Sequence, residues 1–240
     1  MFIRYASRVK ALGGRVLLLA PGPIADLAAT CRGVDQVIPE RDPLPPFDLQ
    51  ISLLSLPQVF RTDLGSIPAD IPYLDVPAAV PNRKPIAELL AAAAGKVRIG
   101  IVWSGNGLFM NDQDRSMKAE VLAPLAALPG VAWFSFQVWG EQAAPLPGLV
   151  ALKPLLSTFS DTAYALSGMD LVISVDTVLA HLAGALGIPT LVLLQFHPDF
   201  RWLLDRTDSP WYPTARLYRQ PVPQNWGTVI RKVLADLAGA

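Results

Sequence analysis

The chain has 240 residues, 52% of them hydrophobic, and its 20 basic side chains balance 20 acidic ones on both sides of residue 95. That length supports one large core or two small ones, while the even charge offers nucleic acid no basic surface. A single cysteine, Cys31, excludes an internal disulfide and a cysteine-built metal site, and two histidines, His181 and His197, give metal catalysis little to work with, so no metal and no cofactor are expected.

In chain order, residues 2–12 carry apolar side chains at rough helical spacing and stop at Gly13-Gly14. Residues 15–20 read as a strand, 23–31 as a short helix, 36–38 as a small strand and 48–54 as another strand, an alternation that favours a parallel sheet. The apolar run at 16–20 is too short for a signal peptide, and no run approaches membrane-spanning length. A cytoplasmic protein without a membrane span is expected. Between Leu56 and Arg83 five prolines prevent long helices, and the division between a first unit (1–80) and a second (81–240) is placed there. Residues 85–94 form a helix with Gly95 as its stop. Residues 97–103 form a strand followed by the loop Ser104-Gly105-Asn106-Gly107, where glycines permit backbone to approach a ligand. The polar stretch 111–116 reads as a mobile loop with solvated acids at Asp112 and Asp114. Ser116 is read as the cap of a helix running to about Leu128 and kinked at Pro124. A strand at 131–137, a connection at 139–154 with one short strand at most, and a helix opened by a Thr158/Asp161 capping box and closed by Gly168 come next.

The stretch 170–194, DLVISVDTVLAHLAGALGIPTLVLL, is one βαβ unit. Leu171, Val172, Ile173 and Val175 suit a strand buried on both faces, Asp176 and Thr177 can cap a helix, and Pro189 bars that helix beyond Gly187. The helix is thin and apolar nearly all round, so it must pack on more than one side. Its one central polar residue is His181. The C-terminal end of a strand meeting a helix N-terminus attracts anions in such sheets. The amides of Thr177, Val178 and Leu179 therefore read as a phosphate cradle, with Asp176 and His181 beside it. Capping alone, with His181 a bonded core residue, explains the same spacing. After Leu194 the aromatics Phe196, Phe200, Trp202, Trp211 and Tyr212 interleave with charges in a loop-rich region, where rings more often anchor a loop than floor a site. A strand at 215–218 and an amphipathic helix at 225–237 end the chain. The sequence lacks a complete G-x-G-x-x-G, a Walker A loop and a G-x-S-x-G elbow.

The run LVISVDTVLAHLAGALGIPTLVLL resembles the nucleotide-sugar site of the heptosyltransferase-like glycosyltransferases of family 9, and especially the glycosyltransferase-like region at the C-terminus of many bacterial tetratricopeptide-repeat proteins. Segments such as FIRYASRVKALGGRVLLLAP, IGIVWSGNG, NDQDRSM and RWLLDRTDSPWYP extend that similarity over nearly the whole chain. The resemblance implies an α/β, GT-B-like pair of Rossmann-type domains with mainly parallel sheets: an acceptor-side domain and a nucleotide-sugar domain. It implies that Asp176, Thr177, Val178 and His181 surround the donor pyrophosphate, that Ser104, Gly105 and Asn106 face the cleft, and that Arg115, before Ser116, neutralises the leaving phosphate without a metal. It also implies that a first strand and an acidic glycine-rich turn, which carry a candidate base in relatives, are absent ahead of Met1. The expected activity is transfer of a sugar to a hydroxyl acceptor, a protein or glycan. The alternatives are a non-catalytic nucleotide-sugar-binding or scaffold module and a nucleotide-sugar epimerase. An unpaired sheet edge would invite association of copies into a homo-oligomer.

Overall fold

A computed structural model describes residues 1–108, 110 and 112–239. The fold is α/β with two parallel sheets. The smaller pairs β1 (Leu17–Ala20) with β2 (Gln36–Pro39), joined through a 3-10 turn and the helix α2 (Ala25–Ala29). Ahead of β1 lie a 3-10 turn at Phe2–Tyr5 and α1 (Ala6–Lys10), as the spacing of apolar residues predicts. A short α3 (Leu56–Val59), with Pro57 in its first turn, and then α4 (Arg83–Ala92) lead to the larger sheet.

That sheet consists of β3 (Val97–Val102), β4 (Val131–Ser135), β5 (Val150–Ala151), β6 (Leu171–Val175), β7 (Thr190–Leu194) and β8 (Ala215–Arg219), in spatial order β5-β4-β3-β6-β7-β8. Every pairing in it is parallel. The chain builds outward from β3 to β5, returns through α6 (Phe159–Ser167), and builds outward again from β6. The order therefore reverses between β3 and β6, and the C-terminal ends of these two paired strands form the switch point at which open α/β sheets hold their ligands. All five side chains of β7 are buried, as are four of the five in β6, which is why these strands read as continuous apolar runs rather than alternating ones. Each fully buried aliphatic there contributes about 1.5–3 kcal/mol.

The helix α7 (Val178–Ala185) follows β6 and is clasped from several sides. The amides of Tyr73 and Leu74 both donate to the Ala185 carbonyl, at 3.0 and 3.3 Å. The ring of Tyr212 lies against Gly184 so closely that an added Cβ would sit 2.5 Å from it. The terminal α8 (Trp226–Ala238) is capped by the Asn225 side chain and buries Trp226, Val229, Ile230 and Val233. The Thr158/Asp161 capping box forms as read, and the buried Asp161 also accepts from the Asn82 amide at 2.8 Å, tying the start of α6 to the segment entering α4.

Three expectations need correction. Residues 48–52 form no strand: Leu49 and Ile51 point to solvent at 91% and 51% exposure, with no neighbouring strand to pair with, and a 3-10 turn follows at Leu53–Ser55. The acidic stretch is a one-turn helix, α5 (Asp112–Arg115), rather than a mobile loop; Asn111 of that reading lies outside the described residues. Ser116 caps no helix, because its hydroxyl is engaged by Asp112 and Gly105. The segment after it is a 3-10 helix, Ala119–Ala127, containing Pro124.

Candidate functional site

The sequence places its candidates at the ends of β3 and β6, and the fold brings these ends together. Thr177 stands at the N-cap of α7. Its hydroxyl accepts from the Leu179 amide at 3.3 Å and lies 3.1 Å from the Ser174 hydroxyl. The capping reading therefore holds for Leu179, and of the three amides in the expected cradle it is occupied. The amides of Thr177 and Val178 have no acceptor among the described residues, Val178 is 61% exposed, and both amides belong to the first turn of α7, at the positive end of the helix.

Facing them is the loop after β3. Arg115 joins the two strand ends: its Nε donates to Asp112 Oδ1 at 2.9 Å, and Nη1 donates to the backbone carbonyl of Asp176 at 3.2 Å. Asp112 is buried, not a solvated acid. Its second oxygen accepts from Ser116 Oγ at 2.9 Å, and that hydroxyl in turn accepts from the Gly105 amide at 2.9 Å. The close approach explains the glycine: a Cβ on Gly105 would lie 2.4 Å from Asp112 Oδ1 and 2.6 Å from Arg115 Nη2. Ser104 and Asn106 hold the loop's shape. The Ser104 amide and carbonyl bond the buried Gln137 side chain, each at 3.1 Å, and Asn106 Oδ1 accepts from the Leu108 amide at 3.0 Å.

On the other side of Asp176 is an aromatic wall. His181 stacks on Trp202 with ring centroids 5.2 Å apart and planes 13° from parallel. Its Nδ1 is 3.0 Å from the Tyr212 hydroxyl, and its Nε2 is 3.8 Å from Asp176 Oδ1. Burial, reinforced by the positive charge of Arg201, lowers the imidazole pKa to about 3, so the ring is neutral at physiological pH. Burial pushes the Asp176 carboxyl up, opposed by the Trp202 indole N–H, Arg201 and Arg115. The indole points at the carboxylate without forming a well-aligned hydrogen bond. Arg201 is itself tethered, its Nε donating to Asp199 Oδ1 at 2.6 Å. Trp202 and Tyr212 are thus loop anchors, as expected, but they anchor the loop onto His181 and so build the site.

Sequence reading missed three contributors: Gln137, Arg201 and Arg4. The guanidinium of Arg4 is buried, bonds the carbonyls of Pro68 and Trp211, and lies 4.4 Å from the Tyr73 ring centroid and 4.9 Å from that of Tyr212. The contact joins residues 207 apart, and no local pattern announces it. Among the described residues no group of three or more His, Cys, Asp or Glu side chains is placed to hold a metal ion, and no helix is long and apolar enough to cross a membrane.

No protein-family model matches the sequence, and comparison with curated proteins returns no match. Solved structures do resemble it. ADP-heptose lipopolysaccharide heptosyltransferase II of Escherichia coli superposes with a TM-score of 0.62 at 12% identity, covering 99% of this chain and 92% of that one. A family 9 glycosyltransferase from Veillonella parvula superposes with a TM-score of 0.52 at 12% identity, covering 99% of this chain and 78% of that one. At this identity the likeness establishes the fold: the chain is an α/β protein with mainly parallel sheets, built like these GT-B-type glycosyltransferases.

Proposed function

We propose that the protein is a glycosyltransferase of the heptosyltransferase-like kind, which binds a nucleotide-activated sugar at the C-terminal ends of β3 and β6 and passes the sugar to a hydroxyl acceptor. The observation that carries this reading is the pair of unengaged amides, Thr177 and Val178, at the N-terminus of α7. They are flanked by Arg115 and by a neutral His181, on a fold shared with a heptosyltransferase. Two amides, a helix dipole and a guanidinium suit a diphosphate.

In the mechanism we propose, the acceptor hydroxyl oxygen attacks the anomeric carbon as that carbon's bond to the diphosphate oxygen breaks, and the hydroxyl proton passes to solvent. The electron pair leaves with the nucleotide. Arg115, already oriented by Asp112, and the α7 amides stabilise that growing charge without reorganising, which is the role fixed donors perform best. No metal is required for this step. Gly105 supports it by letting Arg115 cross the loop backbone.

The test is calorimetric titration of ADP, UDP and GDP and their sugar conjugates into the wild type and into Arg115→Ala and His181→Ala variants. One nucleotide should bind, and each substitution should weaken it by about tenfold or more, near 1.4 kcal/mol. Transfer is tested with the bound conjugate and candidate acceptors. Binding without turnover would favour the binding-module alternative, whereas epimerised sugar without acceptor would favour the epimerase.

A further inference from the structure

His181 is the polar centre of the aromatic wall, and its neutral ring carries one proton that sits on either Nδ1 or Nε2. The two nitrogens have different neighbours. Nδ1 faces the Tyr212 hydroxyl at 3.0 Å, while Nε2 faces Asp176 Oδ1 at 3.8 Å, too far for a direct hydrogen bond but well within electrostatic reach.

We propose that Tyr212 is a positioning residue: its hydroxyl donates to His181 Nδ1, holds the ring as the Nε2–H tautomer, and so turns a neutral N–H donor towards Asp176 and the mouth of α7.

Three features support this assignment. With the proton on Nδ1 instead, the Nε2 lone pair would face the carboxylate oxygen of Asp176, an unfavourable alignment. With it on Nε2, the N–H dipole points at that oxygen. Second, Tyr212 keeps its proton to give. It is 1% exposed, and burial together with the neighbouring Tyr73 holds its hydroxyl well above the ordinary phenol range. Third, the geometry is fixed on every side. Gly184 admits the Tyr212 ring against α7, Arg4 lies over that ring, and Trp202 stacks on the imidazole. A ring so confined gives a bound anion an N–H donor that does not need to be protonated first.

The functional half of the inference rests on the nucleotide-sugar reading above; the tautomer itself does not. The experiment is nitrogen-15 NMR of the histidine rings in the ligand-free protein at neutral pH. With only two histidines in the chain, a His197→Gln variant assigns the spectrum. The expected result is a pyridine-type Nδ1 and a pyrrole-type Nε2 for His181, with the Tyr212 hydroxyl proton correlated to Nδ1 across the hydrogen bond. In Tyr212→Phe the tautomers should mix, and nucleotide-sugar affinity should fall by about threefold to tenfold. A pyrrole-type Nδ1 in the wild type overturns the proposal, even where a nucleotide sugar binds. An unchanged tautomer in a folded Tyr212→Phe protein overturns it as well. Where that variant fails to fold, the wild-type hydroxyl correlation decides. The expected tautomer in a protein that binds no nucleotide sugar would uphold the assignment and refute only the reading of the site.

Discussion

A histidine kept neutral by burial makes folding stability depend on pH, and His181 allows the size of that effect to be worked out. Its folded pKa is about 3, against 6.5 in the unfolded chain. Below pH 6.5 the unfolded state takes up a proton that the folded state refuses, so the stability contributed by the neutral ring is lost as pH falls. One unit below the unfolded value, at pH 5.5, the loss relative to pH 8 amounts to about 1.4 kcal/mol, since each pKa unit is worth about 1.36 kcal/mol. Because 17% of the side chain still reaches solvent, this is an upper bound. Asp176 acts in the opposite direction, since its raised folded pKa lets the folded state take up a proton before the unfolded chain does as pH falls, and comparison with a variant that keeps Asp176 offsets that contribution. The assay is urea unfolding of the wild type and of His181→Gln at several values between pH 8 and 5.5. Glutamine can still bond the Tyr212 hydroxyl, so its own cost is constant with pH. The difference between the two proteins should shrink by about 1 kcal/mol on acidification. A difference that stays flat, or grows, would mean that His181 is protonated or solvated in the folded state, and the account of a neutral donor would fail.

Two further substitutions test the packing that frames the site. Gly184→Ala gains helix propensity of about 1 kcal/mol, but its methyl meets the rigid, buried Tyr212 ring at 2.5 Å; a net loss of about 1–2 kcal/mol is expected in urea unfolding, and a gain in stability would contradict the close contact. Asp161→Ala removes the buried acceptor for the partly buried amides of Thr158 and Asn82 and for the Thr158 hydroxyl. It should cost about 3 kcal/mol by the same assay, while a loss below about 1 kcal/mol would show that the joint is not needed.

The organising βαβ unit was legible because everything that defines it is local: a buried apolar strand, a capping threonine, small residues on a thin helix, and a glycine and proline to end it. The capping box at Thr158 and the amphipathic α8 were legible for the same reason. The failures share a cause as well. Residues 48–54 alternate as a strand should, but a strand needs a partner, and sequence pattern does not reveal that Leu49 and Ile51 have none. Ser116 looks like a cap until Asp112 and Gly105 claim its hydroxyl. The candidate site divides along the same line. Asp176, Thr177 and His181 announce themselves by spacing, whereas Gln137, Arg201, Tyr212 and Arg4 take their roles from contacts made by tertiary packing alone.

The central claim is that the N-terminus of α7 receives a nucleotide diphosphate. The most direct measurement is a crystal structure of the protein with the nucleotide sugar that binds in titration. The account predicts phosphate oxygens within hydrogen-bonding distance of the Thr177 and Val178 amides and of His181 Nε2, with the Arg115 guanidinium alongside. A nucleotide bound elsewhere, with those amides unengaged, would contradict it and leave α7 as a capped core helix.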